Sequence, residues 1–234
     1  MDAESPFPDR PGRRIAIVGR MGVFPMTRLN LPARRVLALV ALCDGRVARS
    51  SAAELLWPDE LETVARANLR RSLWQVPEGW IEHAGDDLRL MADIDYPYAR
   101  TVAGVALDGG ALTLAQIILL SEDLLRGWHE EWATNAQDTY RMLRIDALEA
   151  ACRTLAGLGA HGLAAQAGLA ALSAEPLRES AADALVAAHL MAGNRYAAAR
   201  CYADFRSALR LELGIEPNPG LAERLARSGL LPAT

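Results

Sequence analysis

Lysine is absent: all 25 basic residues of the 234-residue chain are arginines. A Walker lysine, a Schiff-base lysine and a Ser-x-x-Lys nucleophile are therefore excluded. Cysteine is scarce, and Cys43, Cys152 and Cys201 are odd in number, widely spaced and set among apolar residues. That pattern argues against a disulfide framework or a CxxC zinc site and reads as reduced core thiols. His83, His129, His161 and His189 are too dispersed for metal-ligand spacing, and His129-Glu130-Glu131 lacks the second histidine of HExxH. Long apolar runs are also missing. The greasiest stretch, residues 112–120, is interrupted by Gln116 and falls short of the roughly 18 residues a membrane helix needs. The opening MDAESPFPDRPGRR carries acids and prolines where a signal peptide would be apolar. A cytoplasmic protein without membrane contact is expected. With 51% hydrophobic and 23% charged residues, the chain has ample material for a packed core, which excludes a disordered or fibrous protein.

Catalytic signatures fail on context. No GxSxG occurs, and Gly157-Leu158-Gly159-Ala160-His161-Gly162 matches GxGxxG only as a string, because an alanine-rich helix rather than a strand precedes it. It reads as a turn between helices. Neither an enzyme nor a bound cofactor or metal is expected.

What is present is an uneven distribution of charge. The net charge is −4, yet residues 13–76 hold 11 arginines against 5 acids, and the rest of the chain holds 14 against 24. A basic head followed by an acidic body suits a nucleic-acid-binding module joined to something else.

The order of elements sharpens that reading. After a flexible arm over residues 1–13, RIAIVGRMGVFP (14–25) reads as a small hairpin around Gly19 and Gly22. Residues 32–42 have the spacing of an amphipathic helix, with Pro32 and Ala33 suited to its start. Ser50 or Ser51 is placed to cap a second helix ending near Trp57, and Asp59 with Glu62 resembles a capping box for a third over residues 61–76. Ala65, Leu69, Leu73 and Val76 share the packing face of that third helix. Thr63, Asn68, Arg70, Arg71 and Gln75 lie on the other side, with Arg66 on the flank. Two strand-like segments, 80–83 and 88–91, then pair across Gly85-Asp86-Asp87. Three helices and a hairpin make a winged helix-turn-helix over residues 14–99, with the third helix as recognition helix.

Arg70 and Arg71 can fork onto guanine, Asn68 can read adenine, and Thr63 stands where such a helix enters the major groove. Arg34, Arg35, Arg46 and Arg49 are candidate phosphate contacts, although any of them reads equally as a solvated surface charge. Asp86 and Asp87 at the wing tip disfavour a phosphate contact there unless an arginine such as Arg89 compensates. Trp57 reads as a core wedge, Trp128 and Trp132 as packing in the following helical region, and Trp74 as a residue under the wing or against the second domain.

From about Gly104 the sequence turns alanine- and leucine-rich, with helices expected at 112–125, 130–158, 163–174, 178–192, 196–213 and 220–227. A 34-residue echo aligns Ala164 with Ala198 and Ala171 with Phe205. The fold class is thus mainly α with small β elements: an N-terminal winged helix and, over residues 100–234, an all-α domain of helical hairpins resembling tetratricopeptide repeats.

Several stretches together resemble the SARP-type (Streptomyces antibiotic regulatory protein) transcriptional regulators, whose plan is an OmpR-like winged helix followed by a bacterial transcriptional activator domain. In the head they are residues 32–42, Leu55-Leu56-Trp57-Pro58-Asp59, and Ala65-Arg66-Ala67-Asn68-Leu69-Arg70-Arg71 with Leu73. In the body they are Leu124-Leu125-Arg126-Gly127-Trp128 with Trp132, and Leu211-Glu212-Leu213-Gly214-Ile215-Glu216-Pro217. The resemblance implies sequence-specific binding to promoter DNA, by a homodimer at least on DNA, and contacts that recruit the RNA polymerase holoenzyme. Larger members add NTPase, sensor or phosphopeptide-binding modules that these residues do not include. The competing expectation is a non-catalytic protein-interaction scaffold or antagonist whose winged helix is structural. A ligand-sensing repressor would need a polar pocket in the helical domain.

Overall fold

The computed structural model describes residues 12–230. All but the last two residues of the expected arm over 1–13 lie outside the described residues. The chain folds as two compact units. The first comprises residues up to Arg100 together with Glu122–Arg141, and the second comprises Thr101–Ser121 and the chain from Met142 onward.

The first unit opens with an antiparallel pair, β1 (Arg14–Ala16) and β2 (Gly22–Phe24), where the sequence places a hairpin. Helix α1 (Leu31–Leu42) begins at Asn30, whose side-chain oxygen accepts the Ala33 N–H at 3.1 Å, and Pro32 lies in its first turn. Val36, Leu37, Val40 and Ala41 are buried, as their spacing requires. Strand β3 (Arg46–Ala48) runs directly into α2 (Arg49–Leu56), and α3 (Glu62–Leu73) follows. Neither α2 nor α3 has a side-chain cap. Ser50 and Ser51 lie inside the first turn of α2, and Leu61 is the N-cap of α3, so Glu62 sits one residue into the helix rather than at the capping-box position. Its charge still favours the helix N-terminus.

The wing is β4 (Ile81–Ala84) and β5 (Asp87–Leu90), antiparallel across Gly85 at φ +65°, and β3 pairs with the far edge of β5 to give the order β3-β5-β4. Strand β6 (Asp93–Ile94) then runs parallel to β1, making a second sheet of order β2-β1-β6. Helix α4 (Asp95–Leu107) follows at once, a helix absent from the sequence reading. Asp95 is 2% exposed, and its two carboxylate oxygens accept the N–H groups of Ile17 at 2.9 Å and Val18 at 3.1 Å.

On the other side of residues 17–19, the Gly19 N–H donates to the Asp123 carbonyl, and the Leu125 and Arg126 N–H groups donate to the Ile17 and Gly19 carbonyls, at 2.7 to 2.8 Å. These bonds and the burial of Leu124 and Leu125 set residues 122–141 in the first unit, whereas the sequence assigned everything beyond residue 99 to the helical domain.

The second unit is α-helical: α5 (Leu114–Ser121), α6 (Glu131–Gly157), α7 (His161–Ala174), α8 (Glu179–Met191), α9 (Arg195–Leu213) and α10 (Pro219–Arg227), with α4 and α6 each contributing to both units. Successive helices pack as hairpins, α7 on α8 and α8 on α9. The 34-residue echo is structural: Ala164, Ala171, Ala198 and Phe205 are all buried. The GxGxxG string is the α6–α7 turn, with Gly159 at φ +75°. Gly168 permits a close approach between α7, α6 and α8. A Cβ there would lie 2.9 Å from the Cys152 sulfur and 3.1 Å from Leu185. The buried carboxylate of Glu149 accepts from Arg178 at 2.5 Å, Arg153 at 2.8 Å and Ser180 at 2.9 Å.

Two predictions follow from this packing. Gly168→Ala gains up to about 1 kcal/mol in helix propensity but overpacks the α7 contact, so a net loss of about 1 kcal/mol is expected in urea unfolding. In a Cys152→Ala background the loss should shrink, and strict additivity would show that the sulfur does not limit the fit.

Burial pushes the Asp95 carboxyl up to about 6, against the opposing pull of its backbone hydrogen bonds. Between about pH 4 and 6 the folded chain therefore keeps a proton that the unfolded chain has lost, and this contribution to stability disappears as pH rises through that window. The unfolding free energy of the wild type relative to Asp95→Asn should fall by on the order of 2 kcal/mol from pH 4 to pH 7. A pH-independent difference would return Asp95 to the ordinary carboxylate range.

Candidate nucleic-acid interface

Helix α3 buries Ala65, Leu69 and Ser72, while Leu73 and Val76 are only half-buried. The helix ends at Leu73, so its packing face is centred nearer Ser72 than the pattern through Val76 predicts. The outward face turns accordingly. Thr63, Arg66, Ala67 and Arg70 line an open cleft of about 600 Å³ together with Arg49 and Ser50 of α2 and Asp86 of the wing tip. Arg66, expected on the flank, is part of this surface.

Asn68 is half-buried, its side-chain oxygen accepts from the Arg71 guanidinium, and neither residue lines the cleft. The expected adenine reading by Asn68 therefore has its acceptor occupied. Arg71 remains exposed at the edge.

The other candidate arginines differ in what they already hold. Arg35, a candidate phosphate contact by sequence, is committed to internal partners. Its guanidinium donates to both Glu130 oxygens at 2.7 to 3.0 Å and to the Leu56 carbonyl at 2.6 Å, and it lies over the Trp57 ring. Arg34 is half-buried over Trp128. Arg46 pairs with Asp87 at 2.6 Å, so the wing-tip acid is compensated by Arg46, and Arg89 sits opposite Glu82 at 4.0 Å instead. Arg49 contacts His83 Nδ1 at 2.6 Å, and its backbone N–H donates to the Asp86 carbonyl. Arg66 pairs with Glu62 one turn earlier, both well exposed. Exposed pairs of this kind contribute about 0 to 1 kcal/mol and yield readily to a phosphate.

The α2 N-terminus also faces this region through Ser50, with no side chain on its terminal N–H groups. Its dipole end adds to the attraction for anions. Three arginines, one helix N-terminus and one acid make the cleft electropositive.

The tryptophans divide sharply. Trp80 and Trp132 are buried, Trp57 and Trp128 are half-buried, and Trp74 is 85% exposed, neither under the wing nor in the core. Trp128 and Trp132 pack edge to face within the first unit, where Trp132 donates its indole N–H to Glu130 at 2.7 Å.

In the second unit an apolar groove of about 460 Å³ lies among α7, α8 and α9, lined by Leu169, Leu172, Tyr196 and Phe205 with His189 and Arg200. Among the described residues no group of three or more His, Cys, Asp or Glu side chains is arranged to hold a metal ion, and no helix is long and apolar enough to cross a membrane.

The described residues thus form a three-helix head with a wing, followed by helical hairpins. Residues 118–227 match the bacterial transcriptional activator domain family. The order of a winged helix followed by helical hairpins agrees with the plan that the resemblance to the SARP-type regulators implies. Mycobacterium tuberculosis EmbR, solved in complex with a low-affinity phosphopeptide, has a similar fold: TM-score 0.60 and 19% identity, covering 92% of this chain and 65% of that one. The chain therefore spans about two thirds of EmbR. A sequence search finds no relative among curated proteins.

If Arg35 is structural, Arg35→Ala should cost about 1 to 3 kcal/mol in unfolding free energy, and Glu130→Gln a comparable amount. The double variant should lose less than the sum. Unchanged stability with weakened DNA binding would return Arg35 to the surface set.

Proposed function

We propose that the chain is a sequence-specific DNA-binding bacterial transcriptional regulator, and that it activates by recruiting RNA polymerase to promoter DNA on which two protomers pair. The observation that carries this reading is the arginine-lined cleft on the outward face of α3, set between the α2 N-terminus and the wing. We assign DNA reading to the winged helix over residues 14–99 and protein contacts to the helical part over residues 100–234. Arg66 and Arg70 are the base-reading candidates, with Thr63 beside them. Arg49 sits with the α2 N-terminus as a phosphate clamp, while Arg34, Arg46, Arg71 and Arg89 are further candidate phosphate contacts outside the cleft. The chemistry is binding alone, without an enzymatic step or cofactor. The apolar groove among α7, α8 and α9 supports a protein-contact role for the helical part.

Selection of random duplexes on the purified chain, with affinities compared at two salt concentrations, tests the reading. A recovered repeat that binds more than about 10³-fold tighter than its scrambled version, with a steep salt slope, is expected. Arg70→Ala should cost about 1 to 3 kcal/mol on the selected site and relax one base position. Equal weakening on scrambled DNA would make Arg70 a phosphate contact. Uniformly weak binding by the wild type would favour the scaffold reading.

A further inference from the structure

Trp74 leaves bare an indole that elsewhere in proteins buries about 150 to 250 Å². Its position is specific. Thr63, Ala67, Arg70 and Trp74 are spaced by four, seven and eleven residues from the first, so they form one stripe along α3, opposite Ala65, Leu69 and Ser72. Trp74 is the C-cap with helical backbone angles, φ −63° and ψ −18°, so the stripe runs through it without a change of direction.

Its distance along the axis then decides what it meets. At about 1.5 Å per residue, Trp74 stands roughly 9 Å beyond the midpoint of Arg66 and Arg70. The major groove is about 12 Å wide, and its wall lies about 6 Å from its centre. With the two arginines over base edges and the helix crossing the groove, the indole passes the bases and reaches the backbone.

We propose that Trp74 seats on the sugar–phosphate wall of the major groove, its ring against a deoxyribose and its Nε1–H donated to a phosphate oxygen. This rests on the DNA-binding reading and adds to it a residue that fixes the depth and register of Arg66 and Arg70. The contact carries no charge and reads no base. Its loss therefore weakens selected and scrambled DNA alike and leaves the salt slope unchanged, unlike the loss of an arginine.

The test uses the full chain with the duplex recovered by selection and its scrambled counterpart. Trp74→Ala, a surface change, is expected to weaken both by about 5- to 20-fold at equal salt slope, and Trp74→Phe to recover part of the loss. Acrylamide quenching of wild-type tryptophan emission should fall on saturation with the selected duplex, and this change should be missing in Trp74→Phe. If the wild type binds its duplex selectively while Trp74→Ala binds as well, or the indole stays quenchable in the saturated complex, Trp74 faces away from DNA and the proposal fails. A loss confined to the selected duplex would place it on a base and also overturn the wall contact. A wild type that binds no duplex removes the DNA-binding reading itself, and this proposal with it.

Discussion

The carboxylate of Asp95 closes a hydrogen-bonding problem that would otherwise leave the N-terminal unit unsatisfied at its centre. Ile17 and Val18 are buried and continue β1 past its last sheet pairing, so their N–H groups need acceptors away from water. The carboxylate supplies two at the start of α4, while residues 123–126 occupy the opposite edge. Burying a carboxylate is costly, but so are two orphaned N–H groups at about 1 to 3 kcal/mol each. The compromise is visible in the acid's raised proton affinity. It fixes the entry of α4 and the return of residues 122–141 against a single extended segment.

The same competition sorts the arginines. Arg35 has five contacts within reach and a carboxylate that is itself bonded to Trp132, so DNA would have to replace a connected network. Arg66 holds an exposed acid that bulk water competes for, and Arg46 is itself exposed although its partner Asp87 is half-buried. Counterion release on phosphate binding outweighs such pairs at moderate salt. Charge alone does not identify a binding arginine; what matters is what it must release.

Helical periodicity was legible wherever an apolar face is continuous along the helix, as in α1 and α7 to α9, and the hairpins were legible from Gly19, Gly22 and Gly85. Helix α4 was hidden because its start is set by Asp95 and a two-residue strand, both defined only by distant backbone. The place of residues 122–141 was hidden for the same reason, since Leu124-Leu125 pair with residues 17–19 across a separation of more than a hundred residues. On α3 the sequence set Thr63 and Arg70 away from the packing face, and both line the cleft. Including Val76 in the helix rotated the expected outward face enough to promote Asn68 and demote Arg66. Trp74 was misplaced because an exposed tryptophan contradicts every rule based on burial.

A cleft whose cations are all arginines has consequences that lysine would not impose. A guanidinium presents its donors in a fixed planar fork, whereas an ammonium is a rotating point charge, so an arginine's reach to an anion is governed by geometry. Asp86 at the rim of the same cleft sharpens that geometry, because a phosphate approaching from the wing tip meets a like charge while one approaching from α2 meets Arg49 and a helix N-terminus. On the proposed DNA-binding reading, repulsion on one side and attraction on the other orient the duplex across α3 before any base edge is read.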